Sequence, residues 1–326
     1  MRVPIHWAVL CLAVAALVLP SPAGAFPEKP ITCIAPANPG GGWDLTCRSA
    51  ERVLREEKLV SQPIAVENMP GGSGAVGIAH VVTKRKGDGH LFVAASPALT
   101  FTMALKRTPY GYKDITPLAA VAADFGAVVV RKDAPWKTLK ELMDAVKANP
   151  TAVAFAGGSA PGGQDHVKAA KVVKAAGADP TKMKYVPYQG GGEALASLLG
   201  GHTQAFPGDI SEIAGQLEGG QIRVLAVLAD KRLPGTLKEI PTAKEQGFDA
   251  TYVVWRGYYA AGGIPKAQAD WWVATLAKMV KSPTWQKIAG DNKWFDLWMG
   301  GEDFARFLEK DLETSGVLLK ELGFLK

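Results

Sequence analysis

Residues 33–44 read CIAPANPGGGWD and join a short apolar run to a glycine-rich loop and the start of a helix. The glycines at 40–42 separate a predicted strand at 31–36 from a helix predicted to begin at Asp44. The first amides of a helix have no partner within the helix, and the helix dipole adds partial positive charge there. Glycines let a ligand reach these donors without meeting a Cβ. The stretch is therefore typical of a carboxylate or phosphate site, although glycine also serves in plain strand-to-helix turns.

The chain beyond this loop alternates predicted strands and helices. Strands are predicted at 31–36, 63–67 and 90–95, with helices at 44–59 and 75–82 between them. This βαβαβ order is typical of a parallel sheet with right-handed crossovers, and it continues in the later part of the chain. We therefore expect an α/β fold.

Dense glycine marks three of the predicted strand-to-helix junctions, at 40–42, 71–74 and 157–163. Ligands of open α/β sheets bind at the carboxyl ends of the strands. The first and third junctions are far enough apart in the chain to belong to different lobes. Two helix N-termini that face each other from two lobes would form a cleft for an anion.

The N-terminus predicts a secretory signal peptide at residues 1–25. Arg2 precedes an uncharged apolar run at 7–19, and the sequence AGA stands immediately before Phe26. A basic start, a short apolar run and an A-x-A site are the parts of such a leader, and the run is too short to span a bilayer. We expect cleavage after Ala25, export to the periplasm and a soluble mature protein.

Charge and composition exclude several classes of function. The formal net charge is +6, or about +5 without Arg2, the basic residues are spread along the chain, and no run of Lys and Arg alternates with aromatic residues. Nucleic-acid binding is therefore not expected. The histidines after the leader, at 80, 90, 166 and 202, lack metal-ligand spacing, so we expect no metal and no cofactor.

Two cysteines, Cys33 and Cys47, lie beyond the leader, one on each side of the first glycine loop. An oxidising compartment permits a disulfide between them, and its loop of about 14 residues would contribute on the order of 3 kcal/mol. The alternative is a pair of small buried thiols.

Seven short motifs, taken in order, resemble the solute-binding receptors of tripartite tricarboxylate transporters, also called Bug receptors. The cysteine pair and the WRG motif are similar to the tricarboxylate-receptor branch. One departure from the family pattern is Gly163, because the family usually has a serine at this position, in a loop that is one residue shorter. Ser159 is the alternative source of a hydroxyl contact to the ligand. The motifs are FPEKPI at 26–31, PGGGWD at 39–44, VENMPGGSG at 66–74, GDG at 87–89, YVPYQGG at 185–191, VLAV at 224–227 and WRG at 255–257.

The resemblance implies a two-lobed type II periplasmic binding protein in which each lobe is a mostly parallel sheet flanked by helices. Two crossing strands would form the hinge, with lobe 1 at 26–124 and 253–326 and lobe 2 at 125–252. It implies a monomeric receptor, not an enzyme, that captures a small carboxylate, either a citrate-like tricarboxylate or a dicarboxylate. The receptor would deliver it to a membrane permease with one large and one small integral subunit.

The candidate ligand contacts are backbone amides of the glycine loops and polar side chains at predicted strand ends. The guanidinium of Arg256 can pair bidentately with a carboxylate, although a buried structural ion pair is its alternative role. Asp44 and Asp209 are also candidates for helix caps. The predicted contacts are Pro39, Gly40, Gly41, Gly42, Trp43, Asp44, Ser96, Ser159, Gly162, Gly163, Asp209 and Arg256.

Two other functions compete with transport. Residues 72–77 match the G-x-G-x-x-G pattern of dinucleotide enzymes, but the next predicted strand ends in Ser96-Pro97 and not in the acidic residue that binds ribose. The glycine junctions also fail the G-x-S-x-G pattern of hydrolases at its last position. A carboxylate receptor that signals through a membrane sensor stays open, because it would present the same closed lobes to its partner.

Overall fold

The computed structural model describes residues 26–326, so the predicted signal peptide lies outside the described residues. The helices are α1 (Gly42–Glu56), α2 (Ala75–Lys84), α3 (Pro97–Ala104), α4 (Leu139–Ala148), α5 (Gln164–Ala175), α6 (Gly191–Leu199), α7 (Ile210–Glu218), α8 (Lys266–Met279), α9 (Pro283–Asp291) and α10 (Glu302–Glu321). The strands are β1 (Ile31–Ala35), β2 (Ile64–Asn68), β3 (Leu91–Ala95), β4 (Ile115–Phe125), β5 (Ala127–Arg131), β6 (Ala154–Gly157), β7 (Lys184–Pro187), β8 (Ile222–Val227), β9 (Val253–Ala261) and β10 (Phe295–Gly300).

Six strands form one sheet in the order β10-β4-β9-β3-β1-β2. Strand β1 pairs in parallel with β2 and β3, as the βαβαβ pattern predicts, which confirms the α/β class. The pairs β3–β9, β4–β9 and β4–β10 are antiparallel, so the sheet is mixed and not mostly parallel. The antiparallel pairs are those of β9 and β10, which run against the direction of β3 and β4.

Alternate residues of the strands in this sheet supply two separate cores. Cys33, Phe92 and Tyr258 are buried in one cluster, which also takes in the helix residues Leu54 and Trp272. The next residues along the strands, Ile34, Val93 and Tyr259, are buried in the other cluster. Because successive side chains of a strand point to opposite faces, helices cover this sheet on both sides.

The remaining strands form a second group, in which β5 pairs antiparallel with β8 and β6 pairs in parallel with β7. Strand β4 leads directly into β5, and β9 returns beside β4, with Phe125 opposite Val253 in the register. The two groups of strands are therefore joined by two adjacent strands. The last turn of α10 also crosses between them, since Leu319 and Leu322 are buried in the core of the second group.

Among residues 26–326, no helix is both long enough and apolar enough to cross a membrane.

A disulfide bond joins Cys33 in β1 to Cys47 in α1, with their Cα atoms 5.8 Å apart. Both residues are fully buried. The bond fixes the first helix to the first strand across the glycine loop, and so it limits how far the N-terminus of α1 can move from the end of β1.

Replacing both cysteines with alanine is expected to lower the free energy of unfolding by about 3 kcal/mol, because the bond closes a loop with a sequence separation of 14 residues. Urea unfolding with and without reductant measures the change. Reductant should then have no effect on the double variant, and equal stability of the two proteins in oxidising buffer would contradict the assigned role.

Candidate ligand-binding cleft

A cavity of about 50 Å³ lies where the two groups of strands meet. Its wall contains residues from the first turn of five helices, α1, α3, α5, α6 and α7, or from the residue immediately before each helix. Each helix N-terminus carries partial positive charge equivalent to about half an elementary charge. The lining residues are Ala37, Gly41, Gly42, Trp43, Ser73, Ser96, Ala98, Gly158, Ser159, Gln164, Asp165, Gly190, Gly191, Asp209, Glu212 and Arg256.

The first glycine loop contacts the loop before α6, and this contact joins the two groups of strands. The Asn38 amide donates to the Gln189 carbonyl at 2.9 Å, and the Asn38 side chain donates to Glu193 Oε1 at 2.6 Å. The backbones approach so closely that a Cβ on Gly41 would lie 2.9 Å from the Gly191 amide nitrogen. Glycine at position 41 is therefore required for this approach.

Two further hydrogen bonds close the other side of the cavity. Ser96, which caps α3, donates from Oγ to Gln164 Oε1 at 2.9 Å. The Ala160 amide donates to Ser73 Oγ at 2.7 Å. Together with the contact at Asn38, these bonds hold the cleft closed around the cavity.

Two basic side chains pair with three buried carboxylates beside the cavity. Lys168 Nζ lies 2.8 Å from Asp165 Oδ1 and 2.5 Å from Asp209 Oδ1. Arg256 Nη2 lies 3.0 Å from Asp209 Oδ2 and 2.6 Å from Asp124 Oδ2. Within the described residues, Arg256 Nε has no hydrogen-bond partner. Arg256 thus combines a structural ion pair through Nη2 with a buried donor at Nε that these contacts do not use.

The ionisation of the acidic residues follows from these neighbours. Burial alone would raise the pKa of Asp209, but Lys168 and Arg256 outweigh it and lower that pKa. For Glu212, burial and then the charges of Asp209 and Asp165 raise the pKa to about 8. At neutral pH Asp209 is therefore ionised, whereas Glu212 is largely protonated.

Seven of the predicted contacts line the cavity, and they come from five separate parts of the chain. The first glycine loop, the end of β3, the third glycine junction, the start of α7 and the crossing strand β9 all contribute. These residues are Gly41, Gly42, Trp43, Ser96, Ser159, Asp209 and Arg256.

The other five predicted contacts lie outside the cavity wall. Asp44 Oδ2 accepts the Gly40 amide at 3.0 Å, so Asp44 fixes the loop as a cap would. The Gly162 amide donates to His166 Nδ1 at 2.8 Å. Gly163 is the N-cap of α5. Pro39 lies against the first turn of α6, where a Cβ on Gly192 would lie 2.9 Å from the Pro39 carbonyl oxygen.

Several lining residues were not predicted. Ser73 belongs to the second glycine junction, which the sequence marks as a strand-to-helix turn. Gln164 and Asp165 begin α5 directly after the third junction. Glu212 forms a capping box with Asp209 at the start of α7, and the D-x-x-E spacing is the pattern that would have revealed it.

A cleft between two groups of α/β strands, joined by two adjacent strands and lined by helix N-termini, defines a periplasmic binding protein of type II. Comparison with known proteins agrees with that class. The model of the tripartite tricarboxylate transporter family receptor matches residues 48–324. The chain therefore belongs to this family of receptors.

Three relatives span most of the chain. The UPF0065 protein of the gbd 5′ region of Cupriavidus necator is 26% identical over 100% of this chain and 97% of its own length. Protein BugT of Bordetella pertussis is 29% identical over 73% of this chain and 72% of its own. The solved structure of the periplasmic binding protein BugD superposes with a TM-score of 0.85 at 25% identity, covering 92% of this chain and 100% of that one.

Proposed function

We propose that this receptor binds a small organic carboxylate in the cleft and delivers it to a tripartite tricarboxylate transporter. The observation that carries the proposal is the convergence of five helix N-termini on one cavity. Amides at helix N-termini bind anions without a dedicated salt bridge. The partner is a membrane permease with one large and one small integral subunit, and the receptor acts as a monomer without catalysis.

The size and charge of the cleft favour acids with few carboxylates. A cavity of about 50 Å³ has room for about four waters, since each takes about 10–15 Å³ on this scale. Ionised Asp209 also lines it, and its negative charge opposes each additional negative charge on a ligand. A short dicarboxylate therefore suits the cleft better than citrate, although even a short dicarboxylate is larger than this cavity and requires the two groups of strands to move apart.

Ligand binding in this proposal shifts the protein toward the closed arrangement of two lobes. Lobe 1 comprises 26–124 and 253–326, lobe 2 comprises 125–252, and the crossing strands bend between them. Support comes from the connection of the two groups of strands through β4 and β9 and from the hydrogen bonds across the cleft. A ligand shifts such an equilibrium only by its difference in affinity for the two states.

A thermal-shift screen of the protein purified from the periplasm tests the carboxylate. The acids are lactate, succinate, malate, adipate, tartrate and citrate. The protein is unfolded and refolded before the screen, so that co-purified ligand is removed. A specific acid at 100 times its Kd is expected to add about 2.7 kcal/mol to the free energy of unfolding. We expect the largest shift with a dicarboxylate. No shift with any acid would overturn the carboxylate receptor.

The same purified protein tests export. We expect N-terminal sequencing of the periplasmic form to begin at Phe26, and uptake of the bound acid by cells to require both the receptor and its permease. Binding without any effect on uptake would favour the alternative of a receptor for a membrane sensor.

A further inference from the structure

The two carboxylate oxygens of Glu212 accept hydrogen bonds from the N-termini of two different helices. Oε2 accepts the Asp209 amide at 3.1 Å, which is the ordinary capping box of α7. Oε1 accepts the Gly42 amide at 2.7 Å, and Gly42 is the first residue of α1. The second bond crosses the cleft, because α1 and α7 pack on different groups of strands.

The surrounding backbone leaves room for this carboxylate. A Cβ on Gly191 would lie 2.2 Å from Glu212 Oε1, and a Cβ on Gly41 would lie 3.6 Å from the same atom. Both glycines and Glu212 line the cavity. The position next to the Gly42 amide is thus an anion position that the protein shapes from glycines and fills with its own carboxylate.

We propose that Glu212 is a built-in competitor for the ligand, which must replace the Glu212 carboxylate at the Gly42 amide in order to bind the N-terminus of α1. The inference rests on the proposed carboxylate function. It makes Glu212 a residue that sets which anions enter the cleft, since a weakly bound acid does not displace an internal carboxylate that is already in place.

The charge of Glu212 makes this competition depend on pH. Its pKa is raised to about 8 by burial and by Asp209 and Asp165, while Lys168 and Arg256 act in the opposite direction. Well below pH 8 Glu212 is mostly neutral, and it neither repels a ligand carboxylate nor holds the Gly42 amide as strongly. Well above pH 8 it is mostly ionised and does both. The charges that act on Glu212 are those of Asp165 and Lys168 on α5, Asp209 before α7 and Arg256 on β9. The helices α1 and α6, whose first residues meet its side chain, carry Asp44 and Glu193 in their first turns, and Asp124 on β4 pairs with Arg256.

If the acid binds only when Glu212 is protonated, the affinity of the protein for the acid falls about tenfold between pH 7 and pH 9. The reason is that the protonated fraction of Glu212, with a pKa of about 8, falls about tenfold over this range. The acid itself stays ionised throughout this range. Binding at pH 9 therefore takes up nearly one proton.

Titration calorimetry tests the competition with the acid that gives the largest thermal shift in the screen above. The proteins are the wild type, Glu212→Gln, Glu212→Ala and the control Glu218→Gln. Glu218 lies on the same helix, is exposed, pairs with Lys293 at the surface and does not line the cavity. Measurements at pH 7 and pH 9 in two buffers of different ionisation enthalpy give the Kd and the number of protons taken up.

We expect the wild type and Glu218→Gln to lose about tenfold in affinity from pH 7 to pH 9 with proton uptake. Both Glu212 variants should lose this dependence, and Glu212→Ala should bind about tenfold more tightly than the wild type at pH 9. A Glu212→Gln protein that keeps the pH dependence would overturn the inference, as would Glu212 variants that bind more weakly at both pH values. If no acid binds either the wild type or Glu212→Ala, the carboxylate function itself fails.

Discussion

Replacing Arg256 with alanine is expected to lower the free energy of unfolding by about 3–5 kcal/mol, because it leaves the buried Asp124 without a cationic partner and leaves Asp209 with Lys168 alone. Arg256 is 1% exposed and its Nη2 pairs with Asp124 and Asp209, which are 0% and 2% exposed. Ser211 also accepts from Nη2 at 3.0 Å. The loss should appear as a lower midpoint in urea with an unchanged slope.

The matched control is Arg52→Ala. Arg52 pairs with Glu56 on the surface of α1, where its side chain is 54% exposed. Exposed pairs of this kind contribute about 0–1 kcal/mol, so the control should unfold close to the wild type. Equal effects of the two substitutions would show that Asp124 and Asp209 do not need Arg256 for their burial.

The Arg256 result also bears on the predicted ligand contact. The guanidinium lines the cavity, but Asp124, Asp209 and Ser211 share its Nη2. A loss of stability with unchanged affinity in the surviving folded protein would assign Arg256 to the structural ion pair. A loss of affinity beyond the loss of stability would assign it to the ligand as well. The contact of Arg256 with a ligand stays a prediction until then.

The sequence predicts the strand-to-helix junctions well because glycine and proline mark them. These residues predict the start of α5 after the glycines at 157–163 and the start of α1 to within two residues, since α1 begins at Gly42 and the sequence predicts Asp44. The order of the strands in the sheet does not follow from local pattern. Strand β9 inserts between β3 and β4, and this depends on contacts between residues that are far apart in the chain.

Elements without a clear apolar period were missed. Helix α3 is buried almost throughout, so it has no polar face, although Ser96 and Pro97 stand at its start as a cap and first residue. Helix α7 was missed as well, because the sequence predicts a strand at 204–207 and no helix between that strand and the next one at 223–228. In the structure the segment 204–207 makes only isolated bridges, between Phe155 and Ala205 and between Val129 and Phe206.

The candidate site could be predicted where it consists of loops and could not where it depends on partners across the cleft. The glycine amides and Ser96 follow from their places at strand ends. The hydrogen bond from the Gly42 amide to Glu212 joins residues 170 positions apart, and no pattern of neighbouring residues predicts it. The same holds for Asp209, whose two cationic partners come from α5 and β9.

Replacing Gly41 with alanine is expected to weaken acid binding by about tenfold or more while leaving the folded protein nearly as stable as the wild type. The backbone of Gly41, with φ −98° and ψ 176°, accepts alanine without strain. The added Cβ would lie 2.9 Å from the Gly191 amide nitrogen, which is backbone and cannot rotate away. Overpacking of this kind costs about 1–3 kcal/mol, and 1.4 kcal/mol is tenfold in affinity.

This cost falls on closure because Gly41 and Gly191 belong to different groups of strands and meet only across the cleft. Opening the cleft relieves the contact, so the alanine opposes the closed arrangement without opposing folding. Titration calorimetry should report the weaker affinity. Small-angle scattering with saturating acid should report a larger radius of gyration than the wild type has under the same conditions.

Gly290→Ala is the matched control, because Gly290 lies in α9 and a Cβ there would meet nothing within 4 Å. It should bind acid like the wild type and gain up to about 1 kcal/mol of stability from better helix propensity. A Gly41→Ala protein with wild-type affinity would mean that the acid binds without closing these two loops together. A large loss of stability in that variant would instead mean that the loops form a permanent interface, and the hinge would then have to lie elsewhere than in β4 and β9.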